Sequence, residues 1–270
     1  MAASFHRNSL TSGYTFELDE FQIEAFNCLD AGESVLVAAP TGSGKTVVAE
    51  YAIGLARKNR KRAFYTAPIK ALSNQKFHEL VKLYGPNEVG LLTGDNSVNP
   101  QAPIVVMTTE VLRNMIYARS SNIDDLAVVV LDEVHFLQDA YRGPVWEEVI
   151  IHLEPTVQLV CLSATVSNAE ELCEWLTTVR GTTRPIVETK RPVELINHYL
   201  AGDKTTNQIR MFDTIVGGKP NEQVAKIESM TSTRSKKQHP YGSSRRFGSS
   251  HNRFFTPNRT DVVLQLRDED

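Results

Sequence analysis

Residues 39–46 read Ala39-Pro40-Thr41-Gly42-Ser43-Gly44-Lys45-Thr46. An aliphatic run, residues 35–38, precedes this stretch, and apolar residues recur at helical spacing over residues 47–55. The stretch is therefore predicted to lie at a turn from a buried strand into a helix, where backbone N–H groups and the helix dipole converge on an anion. Gly42 and Gly44 let the backbone curl around a phosphate group without a Cβ clash. This context predicts a phosphate-binding loop rather than a chance glycine-rich turn.

Six residues of the loop are predicted to bind a nucleotide: Thr41, Gly42, Ser43, Gly44, Lys45 and Thr46. Lys45 is predicted to reach the β- and γ-phosphates, and the hydroxyl of Thr46 is predicted to hold Mg²⁺. The usual pattern begins with glycine where this chain has Ala39, but the last five residues carry the phosphate chemistry.

Apolar runs alternate with amphipathic segments along most of the chain. Strands are predicted at residues 35–38, 63–67, 89–92, 104–107, 127–131 and 157–162, with closing strands at 186–187 and 196–199. Helices are predicted near residues 20–30, after the phosphate loop, from residues 68–75 to about 84, and near 109–116, 145–153 and 169–176. This alternation predicts an α/β fold with a doubly wound, mainly parallel sheet and helices on both faces. Residues 127–131 form the most apolar run and are predicted to be central in that sheet.

Asp132 and Glu133 follow this central run directly. Two carboxylates at a strand tip suit a metal and an attacking water, so Asp132 is predicted to hold Mg²⁺ and Glu133 to deprotonate the water. The alternative is an acidic loop at the start of an exposed helix. The phosphate loop earlier in the chain favours the catalytic interpretation.

Composition limits the classes of protein that need be considered. No apolar stretch is long enough for a membrane span, and the start of the chain resembles no targeting signal, so a soluble cytoplasmic protein without a membrane partner is expected. Three widely spaced cysteines, Cys28, Cys161 and Cys173, suit reduced core thiols. The net charge of −3 hides an asymmetry, because residues 229–260 contain seven Lys or Arg and no Asp or Glu.

Three segments follow from these patterns. Residues 1–13 are predicted to be a loose N-terminus, and residues 14–202 one ATP-binding α/β domain. Residues 203–260 are predicted to be a linker followed by a basic, disordered insert, since periodicity disappears from about Met230. After residue 202, no further sheet-forming unit is predicted.

The motifs and their order resemble the superfamily-two DExH-box helicases, and within them the superkiller-type RNA helicases that work with RNA-degrading machines. The resemblance extends from Phe16 to about Gly202. It rests on six motifs: the phosphate loop and residues 68–75, 108–113, 132–135, 163–165 and 191–195. It implies a P-loop RecA-like fold, ATP and Mg²⁺ as cofactors, and residues 261–270 as the start of a missing second RecA-like domain.

The resemblance also implies roles around the nucleotide. Phe16 would stack on adenine and Gln22 would hydrogen-bond its edge; alternatively, Phe16 is a hydrophobic staple for the following helix. His135 would be catalytic and would join the nucleotide site to Ser163 and Thr165, whose hydroxyls would couple hydrolysis to domain movement. Ordinary helix capping is the alternative for these two hydroxyls.

Ten residues would line a single-stranded nucleic-acid track: Pro68, Lys70, Ser73, Asn74, Gln75, Thr93, Gly94, Thr108, Thr109 and Glu110. Hydroxyls and helix N-termini there would contact phosphates without reading bases. Simple helix capping is the alternative for each segment. The run from Pro68 to Lys76 resembles the RNA branch more than the related DNA-repair branch.

The leading hypothesis is an ATP-dependent RNA helicase motor domain that needs the second domain for translocation and unwinding. The alternatives are a DNA helicase and a nucleotide-gated RNA-binding adaptor that unwinds nothing. RNA-degrading machinery is the expected partner, and the lack of a long N-terminal extension suggests a bacterial protein.

Overall fold

The computed structural model describes residues 14–164, 168–194, 196–203, 208–232 and 254–255. It divides the chain into two units, one up to Val193 and the other from Glu194 onward. Among the described residues, none of the helices is long and apolar enough to cross a bilayer.

The first unit is built on one eight-stranded sheet. Its strands are β1 (Ser34–Ala38), β2 (Arg62–Ala67), β3 (Val89–Thr93), β4 (Asn96–Val98), β5 (Ile104–Thr108), β6 (Leu126–Leu131), β7 (Gln158–Ser163) and β8 (Thr183–Val187). They lie in the order β4-β3-β5-β2-β6-β7-β1-β8. Every neighbouring pair is parallel except β3 with β4. The aliphatic strand β6 is interior, as its composition predicted.

One α-helix precedes β1 and five connect the strands: α1 (Glu20–Asp30), then α2 (Lys45–Lys58), α3 (Lys70–Tyr84), α4 (Thr109–Tyr117), α5 (Gly143–His152) and α6 (Ala169–Arg180). Two short 3₁₀ helices, Ser121–Ile123 and Val134–Gln138, flank β6. Adjacent strand residues point to opposite faces, and each face has its own core. Tyr65 packs with residues of α1 and α2, whereas Phe64 packs with residues of α4, α5 and α6. Helices therefore cover both faces, and the predicted doubly wound fold is confirmed.

The structure corrects two details of this unit. Residues 96–98, where no strand was predicted, form β4, which pairs antiparallel with β3 because the chain reverses directly after Thr93. The closing strand predicted at residues 196–199 does not join this sheet. The strand found in this part of the chain is β9 (His198–Asp203). It pairs antiparallel with β10 (Gln208–Asp213) in a separate sheet of three strands.

The second unit contradicts the prediction that no further sheet-forming unit follows residue 202. Besides β9 and β10 it contains β11 (Ile215–Val216), β12 (Lys219–Pro220), α7 (Glu222–Ser232) and β13 (Phe254–Phe255). A Gly-Gly pair, Gly217 and Gly218, connects β11 to β12 with positive φ at both residues. Such a pair favours a tight hairpin, which is the local signal that the composition-based prediction overlooked.

The remaining expectations for the termini and the insert lie outside the described residues. They concern residues 1–13, the greater part of the basic segment at residues 233–253 and 256–260, and residues 261–270.

Candidate nucleotide site and adjoining strand ends

Three predicted motifs meet at the carboxyl edge of the sheet. The phosphate loop follows β1, Asp132 follows β6, and Ser163 ends β7, which lies between those two strands. The backbone N–H of Ala39 donates to the carbonyl oxygen of Ser163 at 3.2 Å. Ligands of open α/β sheets bind outside such strand ends. The sheet topology therefore brings together residues that are far apart in the chain.

The loop has the backbone shape that a phosphate requires. Gly42 and Gly44 have φ values of +87° and +88°, a region that side chains with a Cβ rarely adopt. Gly44 is the N-cap of α2, a helix of 14 residues whose N-terminus faces the loop. Free N–H groups and the positive end of the dipole favour an anion there. The buried hydroxyl of Ser43 donates to the carbonyl oxygen of Pro40 at 2.8 Å.

Lys45 folds back onto its own loop. Its Nζ donates to the carbonyl oxygens of Ala39 at 2.5 Å and Pro40 at 2.9 Å. Burial lowers the pKa of Lys45, while Glu133 and Asp132 act in the opposite direction. Both carboxylates are therefore close enough to act electrostatically on the lysine, as a site for phosphates and a divalent cation requires.

The two carboxylates are held differently. Asp132 Oδ1 accepts the backbone N–H of Glu133 at 2.9 Å, and Asp132 Oδ2 accepts the hydroxyl of Tyr65 at 2.6 Å. Glu133 has φ +53°, an uncommon value for a residue with a Cβ. Burial and the nearby Asp132 raise the pKa of Glu133, and His135 and Lys45 oppose that rise. A carboxyl group with a raised pKa suits a general base near neutral pH.

Sequence reasoning missed Tyr65, which is 1% exposed in β2. The available signal was a tyrosine within a strand predicted to be buried, because a buried hydroxyl requires a hydrogen-bond partner. The identity of that partner depends on the order of strands, since β2 and β6 are neighbours in the sheet but distant in the chain.

Gln22 and Phe16, predicted to bind adenine, are in different environments. Gln22 is 2% exposed; its Oε1 accepts the N–H of Asp19 at 3.0 Å and its Nε2 donates to the carbonyl oxygen of Gly44 at 3.2 Å. Phe16 is 51% exposed, and its ring centroid lies 5.2 Å from that of Tyr14. This exposure argues against the hydrophobic-staple alternative for Phe16.

The coupling residues are partly described. Nδ1 of His135 lies 3.3 Å from Oε2 of Glu133. Ser163 is buried, and within the described part of the chain its hydroxyl has no hydrogen-bond partner. Capping is excluded for Ser163, because the N-cap of α6 is Asn168. Thr165 lies outside the described residues.

The predicted nucleic-acid segments are also neighbours. Strands β3, β5 and β2 are adjacent, and Thr108 is paired with Ala67 at their carboxyl ends. Lys70, Gln75 and Gly94 are exposed, and Asn74, Thr108 and Glu110 are half-buried. Lys70 donates to Asp95 at 2.5 Å, and this hydrogen bond lowers the pKa of Asp95.

Four of the predicted contact residues are buried in this structure. Pro68 and Thr93 are buried, and Ser73 and Thr109 are fully buried. The hydroxyl of Ser73 donates to the carbonyl oxygen of Ile69 at 3.3 Å, a contact within its own helix. In this conformation little of the surface of these four residues is open to solvent. For Ser73 and Thr109 the missing information was the phase of their helices.

Comparisons with known proteins agree with this arrangement. Residues 19–172, more than half of the chain, match the model of the DEAD/DEAH box helicase family. The chain is 48% identical over 260 residues, 95% of its length, to the probable helicase HelY of Mycobacterium tuberculosis. It is 47% identical over 200 residues, 74% of its length, to Superkiller complex protein 2 of Homo sapiens. These alignments span 28% and 16% of the two relatives, so the chain corresponds to less than a third of the length of either.

A solved structure has the same architecture. The crystal structure of the DUF1998 helicase MrfA bound to DNA superposes with a TM-score of 0.57 at 26% identity, covering 68% of this chain and 29% of that one. The phosphate loop, the carboxylate pair after β6 and the eight-stranded sheet are thus found together with a family match over most of the first unit. On these grounds, the chain belongs to the DEAD/DEAH box helicase family.

Proposed function

We propose that the unit up to Val193 is the first RecA-like motor domain of an ATP-dependent RNA helicase. The observation that carries this proposal is the division of one sheet edge into two adjoining halves. The ends of β1, β6 and β7 carry the nucleotide motifs, and the ends of β2, β5 and β3 carry the candidate track. ATP hydrolysis and nucleic-acid binding would then take place at the ends of neighbouring strands of the same sheet.

In this proposal the loop N–H groups and the N-terminus of α2 bind the phosphates. Lys45 leaves the carbonyl oxygens of Ala39 and Pro40 and contacts the β- and γ-phosphates. Thr46 and Asp132 hold Mg²⁺, whose bound charge offsets that of the phosphate oxygens. Glu133 accepts the proton of the attacking water, a task for which its raised pKa is suited. Hydrolysis is coupled to movement of a second domain through three residues, His135, Ser163 and Thr165.

RNA is proposed as the polymer on the strength of sequence similarity. Besides Superkiller complex protein 2, the DExH-box ATP-dependent RNA helicase DExH11 of Arabidopsis thaliana is 52% identical over 183 residues. The DNA-bound MrfA structure is less similar in sequence, at 26% identity. It supports a DNA helicase as the second candidate. Exposed or half-buried Lys70, Asn74, Gln75 and Thr108 would contact the sugar-phosphate backbone, which both polymers share.

An ATPase assay with single-stranded RNA, single-stranded DNA or no polymer tests this proposal. RNA-selective stimulation is expected, and Lys45→Ala is the control that removes activity from this site rather than from a contaminant. DNA-selective stimulation would support the DNA helicase instead. Nucleotide-dependent RNA binding without stimulation would support the adaptor.

Efficient hydrolysis and unwinding are proposed to need a second RecA-like domain. The described residues from Glu194 onward form antiparallel sheets and a helix, not a second parallel α/β sheet. An arginine supplied across a cleft contributes on the order of 10³–10⁵ in rate in related phosphoryl-transfer enzymes. We therefore expect this chain to bind ATP with Mg²⁺ but to hydrolyse it slowly and separate no strands. Strand separation by the 270 residues alone would contradict this expectation.

Three broader proposals rest on resemblance. Residues 261–270 lead into the second domain, the protein acts in the bacterial cytoplasm, and RNA-degrading machinery is its partner. The similarity to mycobacterial HelY supports the bacterial assignment. The partner is tested by co-purification of a ribonuclease with the full-length protein, before and after addition of a competing single-stranded RNA. Loss of the ribonuclease would indicate that RNA bridges the two proteins. Its retention would indicate direct contact.

A further inference from the structure

Tyr65 and Asp132 form a buried contact that the proposed roles of the site do not use. The tyrosine hydroxyl donates to Asp132 Oδ2 at 2.6 Å, and Tyr65 is 1% exposed. The other carboxylate oxygen, Oδ1, accepts the N–H of Glu133 at 2.9 Å. Each oxygen of Asp132 thus has one donor, and the two donors together define the orientation of the carboxylate plane.

The backbone and the ring of Tyr65 have further contacts that help to place its hydroxyl. Strand β2 fixes the Tyr65 backbone between β5 and β6. On α3, Nζ of Lys76 lies 5.5 Å from the centroid of the tyrosine ring and forms a 2.5 Å ion pair with Glu79. A cation near an aromatic face is attracted to the ring. The position of the hydroxyl therefore depends on the sheet and on α3 as well as on Asp132.

Strand order gives this contact a particular location. Strand β2 is the last strand of the candidate nucleic-acid half, and β6 is the first strand of the nucleotide half. Tyr65 lies just before the turn into α3, and Asp132 is the first residue after β6. The hydrogen bond thus crosses the boundary between the two halves at the carboxylate assigned to the metal.

We propose that Tyr65 is a positioning residue that holds the Asp132 carboxylate in the orientation that binds Mg²⁺ with the nucleotide. The proposal rests on the proposed function, in which Asp132 is a metal ligand. Hydrogen bonds to a ligating carboxylate restrict its rotation and orient its lone pairs. Their loss therefore lowers the affinity for the metal more than it lowers the stability of the fold. An O–H donor to a carboxylate at this distance is among the stronger hydrogen bonds in proteins.

The chain contains a matched control for this contact. Tyr51 on α2 is 2% exposed and donates to Asp30 Oδ1, also at 2.6 Å. Asp30 ends α1 and is not among the nucleotide-site residues. Tyr65→Phe and Tyr51→Phe each remove one buried hydroxyl hydrogen bond to a carboxylate, but only the first removes it at the site.

The test measures binding of a fluorescent, non-hydrolysable ATP analogue against Mg²⁺ concentration and in EDTA, together with the urea midpoint of unfolding. Tyr65→Phe is expected to require roughly 10-fold more Mg²⁺ for half-maximal binding, within the range reported for such outer contacts. Its affinity in EDTA is expected to match that of the wild type. Tyr51→Phe is expected to keep the wild-type Mg²⁺ dependence whatever its unfolding midpoint.

An unchanged Mg²⁺ dependence in Tyr65→Phe would overturn the proposal and leave the hydroxyl a purely structural role. A cycle with Asp132→Ala keeps the test valid if Tyr65→Phe also loses stability. Tyr65→Phe should add no further Mg²⁺ effect in the Asp132→Ala background, and an added effect there would equally overturn the proposal. Failure of the proposed function is a separate result, because the wild type itself would then show no Mg²⁺-dependent nucleotide binding.

Discussion

The side-chain amide of Gln22 donates a hydrogen bond to the carbonyl oxygen of Gly44 at 3.2 Å. The same side chain accepts the N–H of Asp19 at 3.0 Å, so it joins the start of α1 to the end of the phosphate loop. A residue predicted to read adenine is therefore also a structural support for the phosphate site. The two roles have different consequences for nucleotide selectivity.

Gln22→Ala is expected to weaken nucleotide binding. It removes two hydrogen bonds that each contribute about 0.5–1.5 kcal/mol, so a loss of roughly 10-fold in affinity is expected. Titrations with ATP and GTP analogues separate the roles. A larger loss for ATP supports reading of the adenine edge, whereas equal losses indicate that Gln22 acts only through the loop.

Gly44→Ala is expected to damage the loop more than an ordinary glycine replacement. The residue has φ +88°, and an added Cβ would lie 2.6 Å from Nε2 of Gln22. Left-handed backbone costs a residue with a Cβ about 1–2 kcal/mol, and displacement of Gln22 adds to that. Gly32→Ala is the matched control, since Gly32 has φ +81° and no atom within 4 Å of its added Cβ.

Unfolding and nucleotide titration of the two glycine variants check this prediction. Both variants should lose similar stability from the backbone, but only Gly44→Ala should lose nucleotide affinity. Full nucleotide affinity in Gly44→Ala would mean that the loop is not the phosphate site.

Lys45→Ala and Glu133→Gln are expected to fail in different ways. Loss of Lys45 removes the charge that stabilises the phosphates, so ATP affinity should fall and turnover with it. The amide of Glu133→Gln cannot accept the proton of the attacking water, so ATP should still bind while turnover falls by about 10²-fold or more. Equilibrium binding and single-turnover hydrolysis measure both quantities. Equal loss of ATP affinity in the two variants would contradict this division of roles.

Glu133 is also expected to affect the pH dependence of stability. Its pKa is raised in the folded state, chiefly by burial, so the folded protein binds its proton more tightly than the unfolded chain does. Ionisation of Glu133 therefore costs stability as the pH rises from its unfolded pKa through the raised folded value. Glu133→Gln should be more stable than the wild type at pH 7, and this gain should disappear below the unfolded pKa. Urea unfolding at several pH values measures it; a gain that persists at low pH would have another cause.

Arg62 is expected to matter for stability but not for binding. At the amino end of β2 its guanidinium donates to the carbonyl oxygens of Pro100, Ala102 and Asn122, at the edge opposite the candidate site. Arg62→Ala should cost about 2–4 kcal/mol, because hydrogen bonds of a charged group are stronger and three carbonyls lose their donor. Arg184→Ala is the control. Its ion pair with Glu33 lies at the surface, where such pairs contribute little to stability.

Urea unfolding of the two arginine variants gives these costs, and nucleotide titration gives their effect on the site. An unchanged unfolding free energy in Arg62→Ala would contradict the structural role. Reduced nucleotide affinity at a temperature where Arg62→Ala is folded would contradict the separation of the two edges.

The sequence by itself determined the class of fold and the chemistry of the site. The alternation of apolar and amphipathic segments can be read from the residues of each segment alone. Because residues 126–131 are almost entirely aliphatic, β6 could be predicted as an interior strand. The glycines of the loop and the carboxylates after β6 carry their chemistry in residue type and position. These features required no knowledge of which strand lies beside which.

Tertiary structure decided which predicted groups meet and which are exposed. The Tyr65–Asp132 and Gln22–Gly44 contacts join residues distant in the chain, and only the strand order and the packing of α1 bring them together. Ser73 and Thr109 have residue types that suit phosphate contacts, but the phase of their helices turns them into the core. The second unit escaped prediction because short antiparallel strands depend on pairing with one another, which residue composition does not encode.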